Sequence, residues 1–117
     1  MNHRVLFVDD ETNILLAYRR NMRNHFDVTV AESGIEALEI IQNQEPFAVV
    51  ISDYRMPEMD GIEFLNKVKE ISPDTVRIIL TGFADMQTAI DAINEGNIFR
   101  FLTKPIHNDK LVQAIKD

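Results

Sequence analysis

The sequence predicts a doubly wound α/β sheet of five parallel strands in the order 2-1-3-4-5. Three observations carry this. Short, sharply bounded apolar runs alternate five times with segments whose apolar residues recur at helical spacing. The connections are short, which implies a parallel sheet covered by helices on both faces. The runs Val5–Val8 and Phe47–Ile51 are apolar throughout, whereas those around Val28 and Phe101 alternate with polar residues. Continuous runs suit central strands and alternating ones suit the edges.

Each element has its own signal. Val5-Leu6-Phe7-Val8 stops abruptly at Asp9-Asp10, as a buried strand does. Ile14, Leu15, Tyr18 and Met22 then fall on one helical face. Phe26, Val28 and Val30 alternate with Asp27 and Thr29, the pattern of a half-exposed strand. Ser33 and Glu36 form a capping box for a helix with the stripe Ile35, Leu38 and Ile41. Phe47–Ile51 is a second buried strand, ending at Ser52-Asp53. Asp60 and Glu63 start another helix, carrying Ile62, Leu65 and Val68.

Val76, Ile78, Ile79 and Leu80 make a strand ending at Thr81-Gly82. Met86, Ala89, Ile90 and Ile93 make a helical stripe stopped by Gly96. Phe99 and Phe101 flank Arg100 in a last, half-exposed strand that ends at Thr103-Lys104-Pro105. Leu111, Val112 and Ile115 begin a final helix. The sum is a flavodoxin-like (βα)5 arrangement. Such sheets place their site beyond the carboxyl ends of the strands, at the switch point between strands one and three.

Composition narrows the function. With 117 residues the expected count is one domain, and 45% hydrophobic with 26% charged residues fits an ordinary globular protein. The absence of cysteine excludes a disulfide scaffold and a thiolate metal site, and fits a reducing compartment. No apolar run approaches the ~18–20 residues of a membrane span. Met1-Asn2-His3-Arg4-Val5 does not read as a signal peptide, so a cytoplasmic protein without membrane contact is expected. Nineteen acidic against 12 basic residues leave a net charge of −7, which argues against this chain gripping nucleic acid by itself.

The carboxyl ends carry the chemistry. Asp9, Asp10 and Glu11 follow strand one, Asp53 follows strand three, Thr81 ends strand four and Lys104 ends strand five. Carboxylates gathered at one edge repel, so at least one should have a raised pKa unless a cation joins them. Mg²⁺, with Mn²⁺ as the alternative, suits two or three carboxylates with open positions for water and a phosphoryl group. An Asp carboxylate can then attack phosphorus to give an acyl phosphate. Lys104 would offset charge on the transferred oxygens, and the Thr81 hydroxyl would donate to one of them.

Val8-Asp9-Asp10-Glu11, Asp53-Tyr54-Arg55-Met56-Pro57-Glu58-Met59-Asp60-Gly61, Leu80-Thr81-Gly82 and Phe101-Leu102-Thr103-Lys104-Pro105 resemble, in order and spacing, the diagnostic blocks of the receiver domains of bacterial two-component response regulators. The likeness spans essentially the whole chain. It implies Asp53 as phosphoacceptor and Asp10, Asp53 and the Arg55 backbone carbonyl as metal ligands. Asp9 would act through a metal-bound water. Lys104 would pair with the phosphoryl group, or with Asp53 before phosphorylation. Thr81 and Phe101 would form the switch pair, and the Lys104–Pro105 peptide would be cis, which only an X–Pro bond permits cheaply.

The resemblance further implies a signalling switch rather than an enzyme. A sensor histidine kinase or phosphotransfer protein would supply the phosphoryl group. The face of Phe99, Arg100 and the helix from Asp85 to Glu95 would then meet an output domain, a partner protein or a second copy as a phosphorylation-dependent homodimer. Arg55 and Phe83 hold the positions that tune self-dephosphorylation in the family; both are bulky, which predicts slow loss of phosphate. The segment from Asn94 to Pro105 and the short final helix suggest the N-terminal receiver of a longer response regulator, with residues 1–117 as its single domain.

Other readings compete. A receiver-like interaction module would use the fold without phosphorylation. A flavodoxin-like FMN carrier needs a phosphate loop after strand one, where acidic Asp9-Asp10-Glu11 stand instead. A phosphohydrolase of the Asp-x-Asp type needs a spacing that neither Asp9 nor Asp10 has. His3, His25 and His107 lack metal-ligand spacing and are expected at the surface. Arg19, Arg20 and Arg23 read first as a solvated helix face.

Overall fold

A computed structural model describes residues 3–82, 85–94 and 100–116, without the side chains of residues 89 and 92–94. Among these residues, five strands alternate with five helices. They are β1 (Arg4–Val8), α1 (Thr12–Met22), β2 (Asp27–Ala31), α2 (Gly34–Asn43), β3 (Val49–Asp53), α3 (Gly61–Ile71), β4 (Val76–Thr81), α4 (Met86–Asn94), β5 (Arg100–Thr103) and α5 (Asn108–Lys116). All strand pairs are parallel, and the order is β2-β1-β3-β4-β5.

The two-residue period of a strand divides its side chains between two cores. Leu6 and Val8 of β1, Val50 of β3 and Ile79 of β4 pack with Ala37, Ile41, Phe64, Leu65 and Val68 of α2 and α3. Val5 and Phe7, Val49 and Ile51, and Ile78 and Leu80 face the other way, against Leu15, Met22, Leu111 and Ile115 of α1 and α5. Tyr18 stacks on Phe7 with ring centroids 4.7 Å apart. The continuous apolar runs are therefore central strands with both faces covered. The half-exposed patterns of β2 and β5 mark the edges.

Helix starts follow their side chains. Ser33 Oγ accepts from Glu36 N at 3.0 Å, and Asp60 Oδ1 accepts from Glu63 N at 2.9 Å. Each satisfies an amide that the helix itself leaves unpaired.

Four details differ from expectation. Ile35 is not part of the buried stripe of α2: it is 47% exposed, and Ala37 takes the core position instead. The small faces of Gly34 and Ala37 let this helix approach closely, with Met59 Sδ only 3.0 Å from where a Gly34 Cβ would stand. Phe47 is buried but precedes β3, and the Arg4 guanidinium lies over its ring at 4.3 Å. Val76 opens β4 at the rim and is exposed. The last predicted helix before β5 runs over Met86–Asn94 rather than from Asp85. Gly96 and Phe99 lie outside the described residues. His3, His25 and His107 are all exposed.

Candidate functional site

Register decides which side chains meet. Val8 lies opposite both Ala31 and Ser52, Asp53 opposite Leu80, and Thr81 opposite Thr103. The next residues are tied in the same way. Asp9 N donates to Ala31 O, Tyr54 N to Leu80 O and Lys104 N to Thr81 O, at 3.2, 3.0 and 2.9 Å. Asp9, Asp53, Thr81 and Lys104 thus stand at one edge of the sheet.

Asp9, Asp10 and Asp53 each offer a carboxylate oxygen within 4.8 Å of the others. Lys104 Nζ donates to Asp53 Oδ1 at 2.5 Å and lies 4.0 Å from Asp9 Oδ2. Asp9 is almost fully buried and Asp10 exposed. One Asp9 oxygen accepts from Glu11 N at 3.0 Å, while the other, Oδ2, is buried without a hydrogen-bond partner among the described residues.

The Asp9 carboxyl is pushed up from 3.8 to about 6. Burial is the principal cause; repulsion from Asp53 and Asp10 adds to it, and the Glu11 amide and Lys104 oppose it. The expected raised carboxylate exists, with desolvation ahead of like-charge repulsion. The Tyr18 phenol is pushed up to about 12, by burial first and then by Asp9 and Asp53.

The loop after Asp53 is built for close approach. A Cβ on Gly61 would lie 2.4 Å from the Asp53 carbonyl oxygen and 3.0 Å from Tyr54 Cα. Gly61 N donates to Tyr54 O at 2.8 Å, and Ser52 Oγ donates to Asp53 O at 2.9 Å. Glu58 takes a left-handed backbone with φ 69°, uncommon for a side chain of its kind. A cleft of about 490 Å³ opens beside the acidic cluster, lined by residues that include Asp10, Arg55, Asp60 and Asp85.

Thr81 is buried, with its hydroxyl donating to Gly82 O at 3.1 Å. Phe101 is half-buried against the core on the α2–α3 side. The Lys104–Pro105 peptide is cis. Arg55 is exposed and bound to Asp85, a residue that sequence reading did not single out. Phe83 lies outside the described residues.

Among the described residues the donor set suits a hard divalent cation: carboxylate oxygens, one of them buried and without a hydrogen-bond partner there. The arrangement is a doubly wound parallel sheet with three carboxylates gathered at its switch point and a lysine facing them. The chain belongs to the response regulator receiver domain family, whose model matches residues 5–116. It is 40% identical to the transcriptional regulatory protein GlrR of Escherichia coli, over 100% of this chain and 27% of that protein. Among solved structures, it resembles one described as adenylate cyclase from Rhodopirellula baltica at 45% identity and a TM-score of 0.95, covering 99% of this chain and 86% of that one. It also resembles a response regulator receiver domain protein from Clostridium thermocellum at 36% identity and a TM-score of 0.88, covering 97% and 90%. The chain spans about a quarter of the length of the curated relatives it matches.

Proposed function

We propose that this receiver takes a phosphoryl group from a phosphohistidine donor onto Asp53 and answers by changing its α4–β5–α5 face. The observation that carries the reading is the contact of Lys104 Nζ with Asp53 Oδ1 beside two further carboxylates. A lysine held there binds the Asp53 carboxylate now and would bind a phosphoryl oxygen later.

Asp10, Asp53 and the Arg55 carbonyl would hold Mg²⁺, with Asp9 reaching it through water. The ion supplies charge neutralisation for the transferred oxygens. Every other task falls to the chain. Asp53 Oδ is the nucleophile: its bond to phosphorus forms as the bond from phosphorus to the donor histidine nitrogen breaks. Lys104 follows the phosphoryl group. The Thr81 hydroxyl gives up its bond to Gly82 O and donates to a phosphoryl oxygen, and Phe101 turns into the space that Thr81 leaves. Because the phosphoryl group contacts the two arrangements unequally, it shifts their populations.

The receiver is a switch and not a turnover enzyme, and its place is the cytoplasm. Its donor is a sensor histidine kinase or a phosphotransfer protein. Residues 1–117 form the receiver of a longer regulator, in keeping with relatives about four times its length that are transcriptional regulatory proteins. No helix among the described residues is long and apolar enough to cross a membrane. Intact-mass spectrometry after acetyl phosphate and Mg²⁺ tests the reading. One phosphate adduct is expected on the wild type and none on Asp53→Ala; an adduct that survives that substitution overturns it.

A further inference from the structure

One ion pair in the cleft beside the acidic cluster plays no part in the chemistry above. Arg55 stands two residues beyond Asp53, on the β3–α3 connection. Asp85 stands immediately before α4, on the connection that follows Thr81. Arg55 Nε donates to Asp85 Oδ2 and Arg55 Nη2 to Asp85 Oδ1, both at 2.8 Å. Both residues line the cleft that also takes in Asp10.

The geometry is a planar fork meeting both oxygens of one carboxylate, which gives the pair direction as well as charge. The two partners differ in exposure. The Arg55 side chain is 76% exposed, whereas that of Asp85 is only 14% exposed. Asp85 is held against the fold, and Arg55 reaches out to it. Asp85 is the anchor and the guanidinium is the partner free to turn.

An acyl phosphate on Asp53 would add a second anion to the acidic cluster beside the cleft that Arg55 lines. The same fork that matches a carboxylate matches phosphoryl oxygens. We infer that Asp85 is a positioning residue for Arg55: it holds the guanidinium on the α4 side of the cleft, and so shortens the lifetime of the phosphorylated state. This rests on Asp53 being the phosphoacceptor. In hydrolysis, a water oxygen forms a bond to phosphorus while the bond from phosphorus to the Asp53 oxygen breaks, releasing inorganic phosphate and the free carboxylate. A guanidinium turned onto the phosphoryl oxygens stabilises the acyl phosphate and occupies the approach to it. Removing the Asp85 charge lets Arg55 make that turn.

The test phosphorylates the protein with acetyl phosphate and Mg²⁺, removes the donor, and follows loss of the adduct by intact mass. Asp85→Asn keeps the shape of the side chain, so the substitution isolates charge. Loss is expected to slow about three- to fivefold, the scale of an exposed but well-formed ion pair. Arg55→Ala should lose phosphate faster than wild type, and the double variant should match Arg55→Ala. Asp85→Glu should restore the wild-type lifetime. An unchanged or shortened lifetime in Asp85→Asn, or the same effect in both Arg55 backgrounds, overturns the inference while leaving the phosphoacceptor reading intact. A wild type that forms no adduct overturns both.

Discussion

Lys104 Nζ lies 2.5 Å from Asp53 Oδ1, although the two residues are 51 positions apart and come from the ends of β5 and β3. β4 lies between those strands, so only a side chain as long as lysine spans the gap. The ammonium also reaches within 4.0 Å of Asp9 Oδ2, which makes it the acidic cluster's own cation. It is partly exposed, so screening by solvent moderates its pull.

That placement makes Lys104 a competitor of any bound cation. Lys104→Met should bind Mg²⁺ more tightly than wild type, on the order of tenfold, because one positive charge a few ångströms away has been removed. Isothermal titration with MgCl₂ at low ionic strength measures this. Weaker or equal binding would mean that the lysine is not part of the field the metal experiences.

The raised Asp9 carboxyl has a signed consequence for stability. Its pKa is 3.8 unfolded and about 6 folded, so between pH 4 and 6 the folded protein keeps a proton that the unfolded chain has released. Folding stability from this group is complete below pH 4 and is lost as pH rises through 6. The loss amounts to about 3 kcal/mol, because each tenfold gain in proton affinity on folding is worth roughly 1.4 kcal/mol. Asp9→Asn carries no such charge. In EDTA, urea melts of wild type and Asp9→Asn should agree near pH 4, and the variant should be the more stable at pH 7.5. Saturating Mg²⁺ should narrow the gap by stabilising the wild type preferentially. A constant difference between the two proteins across this range would contradict the assignment of the proton to Asp9.

Gly61 ties the loop after Asp53 to α3. A methyl group there would stand 2.4 Å from the Asp53 carbonyl oxygen, a backbone atom that cannot rotate aside. Gly61→Ala should therefore cost about 1–3 kcal/mol of stability, as forced overpacking does. It should also weaken Mg²⁺ binding, since the displaced backbone is the one that carries Asp53 and Arg55. Retained affinity with retained stability would show that the loop yields freely.

These sites were unequally legible in the sequence. Val5–Val8 and Phe47–Ile51 announce central strands because a parallel sheet buries both of their faces, and the acidic residues that end them announce the site. Ile35 misled because hydrophobicity alone sets a helical stripe, whereas the packed face of α2 is chosen by the close approach that Gly34 and Ala37 permit. Asp85 gave no signal, since a carboxylate 30 residues from Arg55 becomes its partner only after β4 has brought both loops to the same edge. The main reason for the raised Asp9 carboxyl was equally hidden: like-charge neighbours are readable from order, but the burial that outweighs them is a property of the folded edge.

Tyr18 offers a spectroscopic check on the same field. Its phenol is stacked on Phe7 and pushed up to about 12, by burial and then by the negative charges of Asp9 and Asp53. With Tyr54→Phe as background, Tyr18 is the sole tyrosine of the chain. At pH 11 it should remain mostly protonated, with little phenolate absorbance, whereas an ordinary tyrosine titrating near ~10 would be ionised. Asp9→Asn in that background removes one of the two charges and should increase the phenolate fraction at the same pH. It should not bring the phenol back to its ordinary value, because burial, the larger cause, remains. Full phenolate at pH 11 in a protein still folded by circular dichroism would place Tyr18 outside the field of the carboxylate cluster.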